Sequence, residues 1–175
     1  MYLLNHDKIK QAVADEASGL KIGDFDEQFL QHTYYYFRLG ETFHLQGEDG
    51  GWYPQLPLTH SRTLTVGSHE CVRVQSLEDF ALGERFFAIL GGITDMALAG
   101  LSVLHGPFVD PHYPRPKGAL PLKFAIVNHS RAPVELKLGD RIGKIAFFEI
   151  SDTYPVIFQH ASLAAEVYRD RSTEP

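Results

Sequence analysis

Cysteine is almost absent: Cys71 is the only one in 175 residues. An intrachain disulfide and a cysteine-rich zinc cluster are therefore both excluded. Cations are also in short supply, with 16 lysines and arginines against 22 aspartates and glutamates and a formal charge of -6. Duplex binding needs a surplus of positive side chains to displace counterions from phosphates, so neither DNA nor RNA is expected as a partner. A small phosphate-bearing ligand stays open, because it needs only a few local donors. No stretch approaches the about 18 continuous apolar residues of a membrane-spanning helix, and no membrane partner is expected. The opening Met1-Tyr2-Leu3-Leu4-Asn5-His6-Asp7 lacks a basic region followed by an apolar run. It does not read as a signal peptide, which makes the cytoplasm the expected compartment. Also missing are a Walker-type phosphate loop, a Gly-x-Ser-x-Gly elbow and a Cys–His pair with a supporting partner.

What is present is core material. Hydrophobic residues are 44% and charged residues 22%, enough apolar surface for one folded domain spanning 1–175, with a polar, mobile tail expected from about 168. Near the start, Asn5 suits a helix cap, Asp7 suits the positive end of the helix dipole, and Ile9, Ala12 and Val13 share a face; Ser18-Gly19 is the expected stop. Tyr34 to Gly40 is aromatic-rich and reads as a strand ending at glycine, and Gly47 to Gly51 reads as a loop. Leu64–Val66, Cys71–Val74 and Phe86–Leu90 are further strands. Leu120, Leu122, Phe124 and Ile126 alternate with their neighbours, as do Val134, Leu136 and Leu138. Period two implies half-buried strands. Ile145 to Ile150 is nearly all apolar and is expected to be covered on both faces. Only Ile93 to Ala99 has helical composition in the interior. The sum predicts an all-β fold, a β-sandwich or jelly roll, with an N-terminal helix and one short interior helix.

Four segments carry candidate chemistry. In Phe108-Val109-Asp110-Pro111-His112-Tyr113 an aspartate sits at the end of an apolar strand and is stiffened by proline. Such a carboxylate orients a water or binds a sugar hydroxyl, and Tyr113 is placed to stack on a base; equally, Asp110 caps a turn and Tyr113 covers the core edge. In Gly139-Asp140-Arg141-Ile142-Gly143-Lys144 a tight turn places Arg141 where it could reach an anion, although plain hairpin chemistry accounts for the same residues. His105 and His112 flank Asp110, but nine histidines make chance proximity ordinary, and no metal site is expected from them. Arg115-Pro116-Lys117-Gly118 is a basic loop beside the Asp110 turn.

In order along the chain, these segments resemble the dCTP deaminase and trimeric dUTPase superfamily. Tyr35-Tyr36-Phe37-Arg38-Leu39-Gly40 is similar to that family's Tyr-Asp-x-Arg-Leu-Gly strand, and Val74 to Phe80 to its Thr-Leu-Glu-Glu segment. Phe108 to Tyr113 resembles the Phe-Ile-Asp-Pro-Gly-Phe of deaminases and the Ile-Asp-x-x-Tyr of dUTPases. Asn128 precedes Ala132-Pro133-Val134-Glu135-Leu136 as the family's asparagine precedes Pro-Ile-x-Leu, and Gly139-Asp140-Arg141-Ile142 resembles Gly-Asp-Arg-Ile. The likeness covers most of the chain and is weakest from Gly40 to Leu64.

The resemblance implies a distorted jelly roll of the dUTPase type, assembled as a homotrimer with active sites between subunits. It also implies a pyrimidine deoxynucleoside triphosphate as ligand, with Mg²⁺ carried on its phosphates. Asp110 takes the position of the aspartate that orients the attacking water in dUTPases. Thr94, Asp95, Tyr113, Asn128, Arg141 and Lys144 fall at nucleotide-side positions. Several positions depart from the family. Its Gly-Arg-Ser-Ser-Leu-x-Arg-x-Gly loop falls on Gly92 to Gly100, where Ile93 and Leu98 replace both arginines and Asp95 puts a negative charge beside the phosphate position. The deaminase glutamate falls on Ala125, or on Lys123 if residues near Pro114 to Gly118 shift the register. Tyr36 replaces an aspartate, and Lys144 a glutamine. The expected function is accordingly a dCTP deaminase/dUTPase-like nucleotide protein that leans toward binding or dUTP hydrolysis. Two alternatives stand beside it: a non-catalytic structural or regulatory homologue, and a pocket rebuilt for another substrate around Asp95, His105 and His112.

Overall fold

A computed structural model describes residues 1–59, 62–114 and 118–150. The chain opens with strand β1 (Tyr2–Leu3) and helix α1 (His6–Ala14). Asn5 caps α1, its side-chain oxygen accepting from the Lys8 N–H at 3.0 Å. Ile9 is buried, and Ala12 and Val13 pack against the core. The helix stops at Ala14, short of the expected Ser18-Gly19. A 3-10 turn over Glu16–Ser18 carries the chain on, and Gly19 then adopts a left-handed φ of 79°.

The remaining elements are mostly strands: β2 (Lys21–Ile22), β3 (Tyr35–Gln46), β4 (Trp52–Pro54), β5 (Thr63–Val66), β6 (Cys71–Ala81) and β7 (Phe86–Gly91). After the short helix α2 (Thr94–Leu98) come β8 (Leu101–Leu104), β9 (Phe108–Val109), β10 (Leu120–Asn128), β11 (Val134–Lys137) and β12 (Arg141–Glu149). Their order in the main sheet is β8-β10-β6-β3-β12-β7-β9, with β1 on β12, β2 on β6 and β4 on β3; β11 and β5 form a separate ribbon. All these pairings are antiparallel. The fold is mainly β, a curled antiparallel jelly roll with one N-terminal and one interior helix, as the alternation of apolar residues predicts.

The curl comes from β3. Its first half, Tyr35 to Arg38, pairs with β12, and its second half, Leu39 to Leu45, pairs with β6. Register shifts between Leu39 and Phe43, between Pro121 and Lys123, and between Arg141 and Gly143 bend the strands and raise their twist. This overturns the reading of Gly40 as a strand end. The strand runs through it, and glycine is required because a Cβ there would lie 2.5 Å from the Ser76 carbonyl oxygen. Gly143 is tighter still: a Cβ would meet Phe37 Cζ at 2.1 Å.

One core fills the inside of the roll, built on the fully buried Tyr35, Phe37, Phe80 and Phe147 with Ile9, Leu64 and Ile126. β12 departs from its expected two-sided cover. Ile145 and Phe147 are buried, whereas Ala146 and Phe148, on the opposite face, are half-buried. The Arg115-Pro116-Lys117 loop and the polar tail lie outside the described residues.

Candidate functional site

The turn between β11 and β12 builds one side of the site. Gly139 takes a φ of 86°, and Asp140 accepts from the Lys137 N–H at 2.7 Å while its own carbonyl holds the Leu39 N–H at 2.8 Å. β12 thus leaves the turn already anchored to β3. Arg141 projects outward, the chain shifts register at the buried Gly143, and Lys144 lies opposite Tyr36 on β3 and Gly91 on β7. A side chain on Gly91 would crowd the Lys144 stem, 3.2 Å from Cε.

Two tyrosines receive these cations. The Arg141 guanidinium lies 5.0 Å from the Tyr36 ring centroid and the Lys144 ammonium 5.3 Å from that of Tyr34. The rings meet edge to face at 5.1 Å, and their hydroxyls are 3.2 Å apart. That hydrogen bond, with some burial, pushes the Tyr34 phenol above its ordinary value. Helix α2 closes the patch: Asp95 meets Arg141 Nη2 at 3.3 Å, and Thr94 is exposed beside it. The structure therefore gathers Asp95, Arg141 and Lys144, with Thr94 alongside. It adds Tyr36, which the resemblance marks only as a replaced aspartate, and Tyr34, marked only as a strand residue, although their period-two spacing already places them on one face.

Asp110 is elsewhere. Val109 pairs with Ala88, three residues before Gly91, so the end of β9 lies about 10 Å along the sheet from the cationic patch by strand rise. Asp110 is exposed and begins a tight turn in which the Tyr113 N–H bonds back to its carbonyl at 3.3 Å. Pro111 occupies the second position, and His112 the third with a φ of 65°, a place that favours glycine. Tyr113 donates its hydroxyl to the Pro121 carbonyl at 3.0 Å and packs on the core edge, and burial raises its phenol pKa. Only its ring is left for a ligand.

Asn128, expected at a nucleotide-side position, lies inside the fold. It is 0% exposed. Its amide donates to the Val66 and Ala132 carbonyls at 3.0 and 2.8 Å, and its oxygen accepts from the Ser130 N–H at 2.8 Å. Both amide protons and the amide oxygen are thus engaged within the fold. His105 contacts only the neighbouring Gly106 carbonyl through Nδ1 in its described hydrogen bonds, and His112 is exposed. Among the described residues no three His, Cys, Asp or Glu side chains group to hold a metal. Ala125 sits between Arg73 and Leu104 on neighbouring strands, and Lys123 is exposed opposite Gln75.

A second pair within the quoted motifs is structural. Glu78, 0% exposed, accepts from the Arg38 backbone N–H at 2.9 Å and from Nε at 2.6 Å. Arg38 also donates to the Asp24 carbonyl and covers the Phe29 ring. Burial pushes the Glu78 carboxyl up, while the hydrogen bonds from Arg38 oppose that rise. This pair locks β3 to β6 at the crossover. Forty residues separate the partners, and no local signal joins them.

No family model matches the chain. Solved structures do. A dCTP deaminase from Agrobacterium tumefaciens superposes with a TM-score of 0.67 at 16% identity, over 85% of this chain and 49% of that one. The chain thus spans about half the length of that deaminase. The EIAV dUTPase aligns with a TM-score of 0.43 at 14% identity, over 75% of this chain and 98% of that one. A dUTPase from phage phi11 of S. aureus gives 0.43 at 12%, over 69% and 95%. The chain therefore has a dCTP deaminase-like fold.

Proposed function

We propose that this chain acts as a homotrimeric nucleotide protein of the dCTP deaminase/dUTPase type, taking a pyrimidine deoxynucleoside triphosphate with Mg²⁺. One observation carries the reading: Arg141 and Lys144 converge beside Thr94 and Asp95, and this patch lies apart from Asp110 within a single chain. A site shared between subunits reconciles the two halves. The patch of one subunit holds the phosphates, and Asp110 of a neighbour orients the water that attacks them. Tyr113 offers its ring to the sugar or base.

Arg141 supplies a planar fork of donors for phosphate oxygens, and Lys144 a point charge. The two rings fix both cations without neutralising them. Asp110, exposed and braced by Pro111, is placed to accept a proton from water. Mg²⁺ fits as a passenger on the phosphates, because it is commonly held by one or two carboxylates plus substrate oxygens rather than by a protein cage. When bound, it neutralises phosphate charge. Hydrolysis is favoured over deamination, since neither Ala125 nor Lys123 brings a carboxylate to the deaminase position and loss of a general base costs roughly 10²–10⁴-fold.

Chromatography of products from dUTP and from dCTP with Mg²⁺ tests the reading. dUMP from dUTP, lost in Asp110→Asn, is the expected result. dUTP from dCTP would assign deamination to other residues. No product from either nucleotide would favour the second reading, a non-catalytic structural or regulatory homologue, which the fully engaged Asn128 and the missing carboxylate support.

A further inference from the structure

We infer that Asp95 is an exchangeable partner of Arg141: it neutralises the guanidinium when the patch is empty and transfers to the Mg²⁺ of an incoming nucleotide. The patch then admits a triphosphate as its Mg²⁺ complex and resists the metal-free form. This rests on the nucleotide reading given above and assigns a role to a residue that reading leaves without one.

Charge is the first ground. Arg141 and Lys144 bring two positive charges and Asp95 one negative, so the patch presents a single net positive charge to a polyanion. A metal-free triphosphate must both displace Asp95 from Arg141 and lie beside its carboxylate. Like charges at a few ångströms repel even at a partly exposed site.

The second ground is the weakness of the pair. It is one contact of 3.3 Å between side chains that are 72% and 47% exposed, for Asp95 and Arg141 respectively. Exposed pairs of this kind contribute little and part easily. Asp95 is accordingly free to change partner.

The third ground is that Arg141 does not depend on Asp95 for its place. The Tyr36 ring lies under the guanidinium, and the Gly139-Asp140 turn fixes the strand that carries it. When Asp95 leaves, Arg141 stays in position and becomes available to a phosphate oxygen. A lone carboxylate oxygen is also the hard donor that Mg²⁺ accepts beside phosphates.

The test is calorimetric binding of a non-hydrolysable imido analogue of dUTP, in Mg²⁺ and in excess chelator. Wild type, Asp95→Asn and Arg141→Gln are compared, with circular dichroism to confirm folding. Wild type is expected to prefer the Mg²⁺ form by about tenfold or more, and Asp95→Asn to gain about tenfold in metal-free binding, so that the preference largely disappears. Arg141→Gln weakens both forms. An unchanged Mg²⁺ preference in Asp95→Asn overturns the inference while a loss in Arg141→Gln preserves the site. Binding indifferent to Arg141→Gln, or absent altogether, overturns the site and the inference with it.

Discussion

His112 holds a left-handed backbone position, φ 65°, at the third residue of the Asp110 turn. For a residue with a Cβ this conformation costs roughly 1–2 kcal/mol, partly offset by the greater chain entropy of glycine in the unfolded state. His112→Gly should therefore raise stability by about 0.5–1 kcal/mol, read as a higher urea midpoint at unchanged slope. A lower midpoint would mean that the imidazole contributes packing or bonding to the turn. Glu78 makes the opposite case. Its removal strands the Arg38 guanidinium at the crossover, and Glu78→Gln should cost about 3–5 kcal/mol by the same measurement. Tyr35 adds a pH dependence: burial raises its phenol from 10.0 to about 12. The folded state keeps that proton while the unfolded state loses it, so stability present below pH 10 falls as the pH approaches 12. Tyr35→Phe should flatten that alkaline decline in denaturant titrations, and an identical decline would contradict the assignment. At this scale the sequence discloses the Asp110-Pro111 turn, because its chemistry is local. It conceals the roles of Asn128 and Glu78, whose partners Val66 and Arg38 lie 62 and 40 positions away.

The elements were legible wherever apolar residues alternate. β10 and β11 fall close to their predicted spans, and Asn5 caps α1 as its position implies, whereas β12 begins at Arg141, four residues before the expected Ile145. β3 was not legible beyond Gly40, since glycine in sequence cannot distinguish a strand end from a close approach to another strand. β6 was shortened for a different reason: Ser76 and Glu78 are polar yet face the interior, so the alternation that marks a strand fails after Val74. Gly143 shows what such a glycine does for the site. It lets Phe37 reach the floor of β12 midway between Arg141 and Lys144. Gly143→Ala should cost about 3 kcal/mol, at the upper end for overpacking, because the buried Phe37 ring has little room to yield. Thermal melting measures the loss. A variant of wild-type stability would show that β12 can shift freely, and the two cations with it.

At the scale of the whole molecule, strand order sets apart the two halves of the proposed site. The sheet order places β9 beyond β7, on the far side from β3, so one strand stands between Asp110 and the strand that carries Arg141 and Lys144. Sequence order alone marked both halves as motifs but could not show their separation, which depends on strand order rather than spacing. In the proposed function the two halves meet between subunits. The direct measurement is dUTP turnover after unfolding and refolding Asp110→Asn and Arg141→Gln chains together, compared with each refolded alone. Two nearly inactive homotrimers and a mixture that recovers activity are expected, because mixed assemblies contain sites whose two halves are both intact. A mixture no more active than its parents, from chains shown to co-assemble, would contradict a shared site.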